Sequence, residues 1–273
     1  MLVVVAVLWL VWAVTALALY PLPDDLLPAL LLLALFLFAL VAGGLLWLRR
    51  ELRRERQREQ DQLLRYAWLQ ATIRPTRPLP PLRGGMARPE LLLLLWQEIH
   101  RRRPRQLLEM GSGLSTVVMA MAMGGSGRLT ALEDDVGHAV RTRRMLADHG
   151  LQSDVRVVDA SLKKYEIAGE QMAWYDLAGL DALAGIDLLF VDGPAGYLRS
   201  QSRYPALPLL CERLAADAII FVDDVDRPQE KHMLERWLQD YPQLSLAPGE
   251  GGGECAVLQW RRAGHQTGGT LEH

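Results

Sequence analysis

The first 48 residues carry only two charges, Asp24 and Asp25, and these stand side by side. Met1–Leu19 is almost wholly apolar. At about 1.5 Å per residue such a run spans about 28 Å, close to the roughly 30 Å of a bilayer's hydrocarbon. Pro21-Leu-Pro-Asp-Asp25 breaks it, and Leu26–Leu48 is a second apolar run of 23 residues. Two spans joined so closely form an antiparallel transmembrane hairpin, residues 1–48. Ala16-Leu-Ala18 would suit a signal peptidase, yet no basic n-region precedes it, so a retained span is expected. Ala39-x-x-x-Gly43 offers a small-residue face through which the hairpin could form a homo-oligomer.

Charge sets the orientation. Residues 49–103 hold 14 Arg, no Lys and 6 acids, whereas residues 104–273 hold 16 basic and 24 acidic residues. Arg49, Arg50, Arg53, Arg54, Arg56 and Arg58 abut the second span, which places that end in the cytoplasm. The expected location is the inner (cytoplasmic) membrane, two-pass, with both termini and the soluble part cytoplasmic. The first partner is therefore the bilayer; the arginines either touch anionic lipid, at about 1 kcal/mol each, or lie on a solvated continuation of the second span. A net charge of −2 argues against a nucleic-acid binder. Two cysteines, Cys211 and Cys255, exclude a disulfide scaffold and a four-cysteine zinc site.

Residues 49–85 read as a basic juxtamembrane helix, Arg49–Thr72, followed by a linker with Pro75, Pro78, Pro80, Pro81, Gly84 and Gly85. Beyond it, residues 86–262 alternate. Glu90–Arg103, Leu114–Met123, Val136–His149, Leu207–Ala216 and Pro228–Tyr241 read as helices. Gln106–Met110, Arg128–Leu132, Val155–Val158, Asp187–Val191, Ala218–Val222 and Cys255–Trp260 read as strands. That order predicts an α/β fold: a Rossmann-like, doubly wound, mostly parallel sheet, here preceded by two transmembrane helices. Residues 263–273 are a tail, and Leu271-Glu-His273 resembles a tag remnant.

The chemistry gathers at strand ends. Glu109-Met-Gly-Ser-Gly-Leu-Ser-Thr116 places glycines where a strand turns into a helix, so a ligand can approach backbone and free N–H groups. Thr116 stands where a dinucleotide fingerprint has Gly or Ala. An acid two residues before the first Gly suits a ligand with an amino group better than a pyrophosphate. The next strands finish at Glu133-Asp134, Asp159-Ala160, Asp192-Gly-Pro and Asp223-Asp224. Acids at five strand ends in phase with the Gly-rich turn mark the edge where open α/β sheets bind ligands.

These segments, LEMGSGLST, LTALEDD, LLFVDGP and IIFVDD with RYPALPLL before the last, resemble the class I S-adenosylmethionine-dependent methyltransferases. They are most similar to the methyltransferase family 24 branch and to its cation-dependent O-methyltransferase relatives. The resemblance covers roughly residues 86–262. It implies S-adenosylmethionine as cofactor, with Glu109, Gly111, Ser112 and Gly113 at its amino-acid part and Ser115 beside them. Glu133 would hold the ribose hydroxyls, and Asp134, Asp159 and Ala160 would lie by the adenine. Asp192 would be the catalytic residue, in contact with cofactor and acceptor.

In the cation-dependent enzymes an Asp and an acidic pair bind Mg²⁺, which here implies Asp192, Asp223 and Asp224. A hard cation would activate a substrate hydroxyl. The alternative for Asp223 and Asp224 is capping the helix that opens at Pro228. Ala195 stands where those relatives carry a basic Lys; Tyr197, Arg199, Lys163, Lys164 and Trp174-Tyr175-Asp176 are the candidates to replace it. The implied function is O-methylation of a lipid-linked or amphiphilic hydroxyl acceptor at the cytoplasmic face. A non-catalytic membrane-tethered scaffold is the alternative.

Overall fold

The computed structural model describes residues 26–81, 86–180, 182–194, 201–247 and 254–262, together with Trp12 and Thr15. The chain divides into two compact units, residues 1–63 and 64–273. Helix α1 runs Leu26–Ile73. Among the described residues it is the one helix long and apolar enough, by length and composition, to cross a membrane. Leu32, Phe36, Phe38 and Trp47 each keep 60% or more of their surface exposed, so among the described residues no packing covers them. The first expected span lies outside the described residues, apart from Trp12 and Thr15, as do Gly84 and Gly85 of the linker.

The second unit contains the end of α1. Tyr66, Leu69 and Ile73 are buried, and the Tyr66 hydroxyl donates to the Pro80 carbonyl. After α2 (Pro89–Arg102) come β1 (Gln106–Met110), α3 (Leu114–Met123), β2 (Arg128–Glu133), α4 (Val136–Asp148), β3 (Val155–Asp159), β4 (Leu162–Ile167) and β5 (Glu170–Tyr175). They are followed by β6 (Ile186–Val191), α5 (Ala206–Leu210), β7 (Leu214–Asp223), α6 (Pro228–Asp240), β8 (Leu244–Leu246) and β9 (Cys255–Trp260). Local chemistry sets several boundaries. Pro89 opens α2 and Arg103, in the left-handed region, closes it. The Asp135 carboxylate caps α4 by accepting the His138 N–H at 2.6 Å.

The sheet order is β3-β2-β1-β6-β7-β9-β8. The first five strands are parallel, and β9 is antiparallel to both β7 and β8. Because alternate residues face opposite sides, the apolar strands feed two cores. Leu107, Leu188, Phe190, Ile219 and Phe221 pack with α2 and α3 on one side. Leu108, Leu189, Val191, Ile220 and Val222 pack with Trp174 and Trp237 on the other. This is the expected doubly wound, mostly parallel architecture.

Three local readings change. The helix expected over Leu207–Ala216 stops at Leu210, and β7 begins at Leu214, where pairing with Ile186 draws the chain into the sheet. A two-stranded antiparallel sheet, β4 with β5, fills a stretch where no strand is legible in the sequence. Its Ala168-Gly169 turn takes two positive φ angles, +51° and +78°, as a tight hairpin requires. Neither Asp223 nor Asp224 caps α6: the N-cap is Arg227, without a side-chain bond.

Candidate active site

The Gly-rich turn is fastened into the carboxyl edge of the sheet. Gly111 N–H donates to the Leu132 carbonyl at 2.8 Å, and Asp192 N–H donates to the Met110 carbonyl at 3.1 Å. The turn needs Gly111 because its φ is +95°. Gly193 is required for space. A Cβ there would meet the Tyr175 hydroxyl at 2.2 Å, the Gly111 nitrogen at 3.1 Å and the Met110 carbonyl oxygen at 3.2 Å. Tyr175 is 1% exposed and cannot withdraw. Gly193→Ala is therefore expected to destabilise the protein by about 1–3 kcal/mol and to disturb the Gly-rich turn, measurable by thermal melting beside cofactor titration.

Glu109 lies inside this edge, 1% exposed. Its partners are two neutral hydroxyls: Ser115 Oγ donates to Oε1 at 2.5 Å and Thr116 Oγ1 to Oε2 at 2.6 Å. Burial pushes the carboxyl up to about 8, against the two hydroxyl hydrogen bonds. A buried acid with no cationic partner among the described residues suits a ligand that brings its own positive charge.

Glu133 ends β2 and is also buried. It accepts from Ser112 Oγ at 2.7 Å and from Asp135 N–H at 3.2 Å, and Ser112 Oγ also meets Thr142 Oγ1 at 3.1 Å. Burial, then the charge of Glu133, raises Asp134 above its ordinary value. Ala160 donates its N–H to the Glu133 carbonyl at 2.7 Å. Asp159 is exposed and ion-paired with Arg143 at 2.8 Å.

A cavity of about 460 Å³ opens at the Gly-rich turn, lined by Ser112, Gly113, Ser115, His138, Arg141 and Asp192 among others. That is within the usual size range for small-molecule sites. His138, Arg141 and Met145 recur at helical spacing along α4, and this was the available signal for cavity-lining residues that the motifs alone do not identify. A second cavity, about 520 Å³, opens beside Gln106, Arg128 and Val155, where the strands begin, and contains none of the expected residues.

Asp192, Asp223 and Asp224 converge as expected, with ligand oxygens within 4.8 Å of one another. Burial, then the neighbouring Asp223, pushes the Asp192 carboxyl up, with Arg203 opposing. Arg203 is the residue that motif reading missed. Its Nη2 donates to Asp192 Oδ1 at 3.2 Å and to Asp224 Oδ2 at 2.8 Å. A divalent cation does not fit this arrangement, because a guanidinium nitrogen stands where the two carboxylates meet.

Of the candidates for a base, Lys163 is paired with Asp176 at 2.6 Å, and Lys164 borders a separate small cavity of about 150 Å³. Burial, then Asp134, raises the Tyr175 hydroxyl well above its ordinary value. Ala195, Tyr197 and Arg199 lie outside the described residues.

S-adenosylmethionine does fit. The buried Glu109 would suit an ammonium, the Gly111–Gly113 backbone leaves room for a close approach, and Glu133 would suit hydroxyls. Residues 108–225 match the model of a methyltransferase domain, family 24. The chain is similar in fold to the O-methyltransferase from Bacillus cereus in complex with SAH. That structure is 17% identical, with a TM-score of 0.49 over 74% of this chain and 91% of that one. It is also similar to the O-methyltransferase TomG from Streptomyces achromogenes, involved in tomaymycin synthesis and in complex with SAM. There the identity is 19% and the TM-score 0.49, over 73% and 89%. No curated protein matches the chain in sequence. The match begins within β1 at the Gly-rich turn and ends just past Asp224, so residues 108–225 carry the methyltransferase-domain pattern together with the site.

Proposed function

We propose that this methyltransferase is membrane-anchored and transfers its methyl group to a hydroxyl oxygen of an amphiphilic or lipid-linked acceptor at the cytoplasmic face. The observation that carries the reading is Glu109: a buried carboxyl at the Gly-rich turn, held among the described residues by two hydroxyls, one of which, Ser115, lines a cavity with Asp192. The bound cofactor supplies an electrophilic methyl carbon on a sulfonium. Glu109 would hold the ammonium of its amino-acid part and Glu133 the ribose hydroxyls, with Ser112, itself bonded to Thr142, fixing the Glu133 carboxylate. Asp134, Asp159 and Ala160 close the adenine side.

With an acceptor hydroxyl aligned on that methyl carbon, the hydroxyl proton would have to leave as the methyl group passed to its oxygen. Asp192 lines the cavity, and its proton affinity is raised by burial and by Asp223, which brings a carboxylate base closer to the operating pH. Most of the rate would come from alignment. Exposed leucines and phenylalanines along α1, followed directly by arginines, support an anchor that keeps the domain beside an amphiphilic acceptor.

Calorimetric titration of S-adenosylhomocysteine into the full chain in detergent tests the cofactor site, with saturable one-to-one binding expected. Carbonate extraction of membranes tests the anchor, with the chain expected in the pellet. No heat of binding at any concentration would falsify the cofactor assignment. Release into the carbonate supernatant would remove the anchor.

A further inference from the structure

The acid cluster contains positive charge that the methyl-transfer steps do not use. Arg203 lies just before α5 with its side chain 3% exposed. Besides Asp192 Oδ1 and Asp224 Oδ2, its Nη2 donates to the Asp192 carbonyl at 3.0 Å, and Nη1 donates to the Asp223 carbonyl at 2.8 Å. The other acids have guanidiniums of their own: Arg88 is 3.5 Å from Asp223 and Arg227 is 2.9 Å from Asp224. Three aspartates thus face three guanidiniums, with the half-exposed Glu254 also on Arg88. Arg203 Nε is buried and finds no acceptor among the described residues. A donor is left unspent in this way when the rest of the fork is strongly held.

Mg²⁺ would require the same oxygens to close to about 2.0–2.1 Å around one point, with water in the remaining positions. Here the Asp192 and Asp224 oxygens close instead on a nitrogen that cannot lose its proton. A second cation placed beside it, away from bulk water, would be repelled. We propose that Arg203 is the resident cation of this site. It draws Asp192 and Asp224 together in the role a divalent metal would take, and methyl transfer proceeds without metal. Only this last clause rests on the methyltransferase reading. Arg203 is a positioning residue, acting on the acceptor through Asp192.

The test uses the full chain in detergent micelles. Mn²⁺ is titrated and followed by electron paramagnetic resonance, and Tm is recorded with Mg²⁺ and with chelator. Wild type is expected to bind no Mn²⁺ at the cluster and to keep its Tm unchanged. Arg203→Ala, which removes the guanidinium between Asp192 and Asp224 and leaves Asp224 to Arg227 alone, is expected to melt lower and to recover by about 5 °C or more at saturating Mg²⁺. Adding Asp224→Asn is expected to erase that recovery.

A wild-type Mn²⁺ signal that disappears in Asp224→Asn would overturn the inference, as would an Arg203→Ala protein indifferent to metal. If Arg203→Ala does not fold, Arg203→Lys replaces it, since a point charge cannot span both carboxylates, and partial Mg²⁺ recovery is expected. The wild-type titration decides in either case. Calorimetry with S-adenosylhomocysteine reports separately: its failure ends the cofactor reading and leaves the Mn²⁺ result standing.

Discussion

Glu109→Gln is expected to weaken S-adenosylhomocysteine binding by about 10- to 100-fold, the usual effect of losing one charge-assisted contact. The wild-type affinity should also depend on pH. The ligand's ammonium binds the ionised carboxylate, and in the cofactor-free protein that carboxyl titrates at about 8. Affinity should therefore rise about tenfold per pH unit as pH approaches 8 and then level off, as one proton is released on binding. The Gln variant should show no such slope.

Stability should move in the opposite sense. The folded protein holds a proton up to about pH 8, whereas the unfolded chain releases it near 4.5. Between those values the native state binds more protons, so this group makes the cofactor-free protein less stable as pH rises. The full span is up to about 5 kcal/mol, and the Gln variant should lose it. Paired denaturant melts at pH 5 and pH 8, wild type against variant, measure the difference. Equal pH slopes in the two proteins would mean that Glu109 is not the buried acid described here.

Trp237→Ala should cost about 3–5 kcal/mol, the second large effect. Trp237 is fully buried in the second core, and its indole N–H donates to the Tyr204 carbonyl at 3.0 Å. Tyr204 follows Arg203, so the same indole steadies the backbone that aims the guanidinium at Asp192 and Asp224. A Tm drop of about 10 °C is expected for a unit of this size. Trp237→Phe keeps most of the volume but leaves the carbonyl unpaired, at about 1–3 kcal/mol. A drop of only a degree or two in the Ala variant would show that the site collapses without a cavity.

Much of this protein is determined locally, and that part is legible in its residues. Leu114–Met123 and Gln106–Met110 form where their apolar patterns predict, because a βα unit is closed by short-range chemistry: a Gly-rich turn, a helix start, a strand of branched side chains. Glu109, Glu133, Asp159, Asp192 and Asp223 stand at or next to the carboxyl ends of the five parallel strands, so any parallel sheet built from those strands brings them to one edge. The acids of the site therefore follow from order along the chain.

Tertiary structure decided the rest. The placement of β9 between β7 and β8, the start of β7 at Leu214 and the β4–β5 hairpin depend on pairing partners distant in sequence. Lys163, Lys164 and Glu166 give that hairpin no apolar period to read, and its turn lacks the usual Asn-Gly signal. The raised carboxyl of Glu109 comes from burial, which only packing creates. Arg203 was unreadable for the same reason. In sequence it is one of many arginines; inserted between β6 and β7 it stands where three aspartates converge, and only there does the charge of its guanidinium bear on a metal.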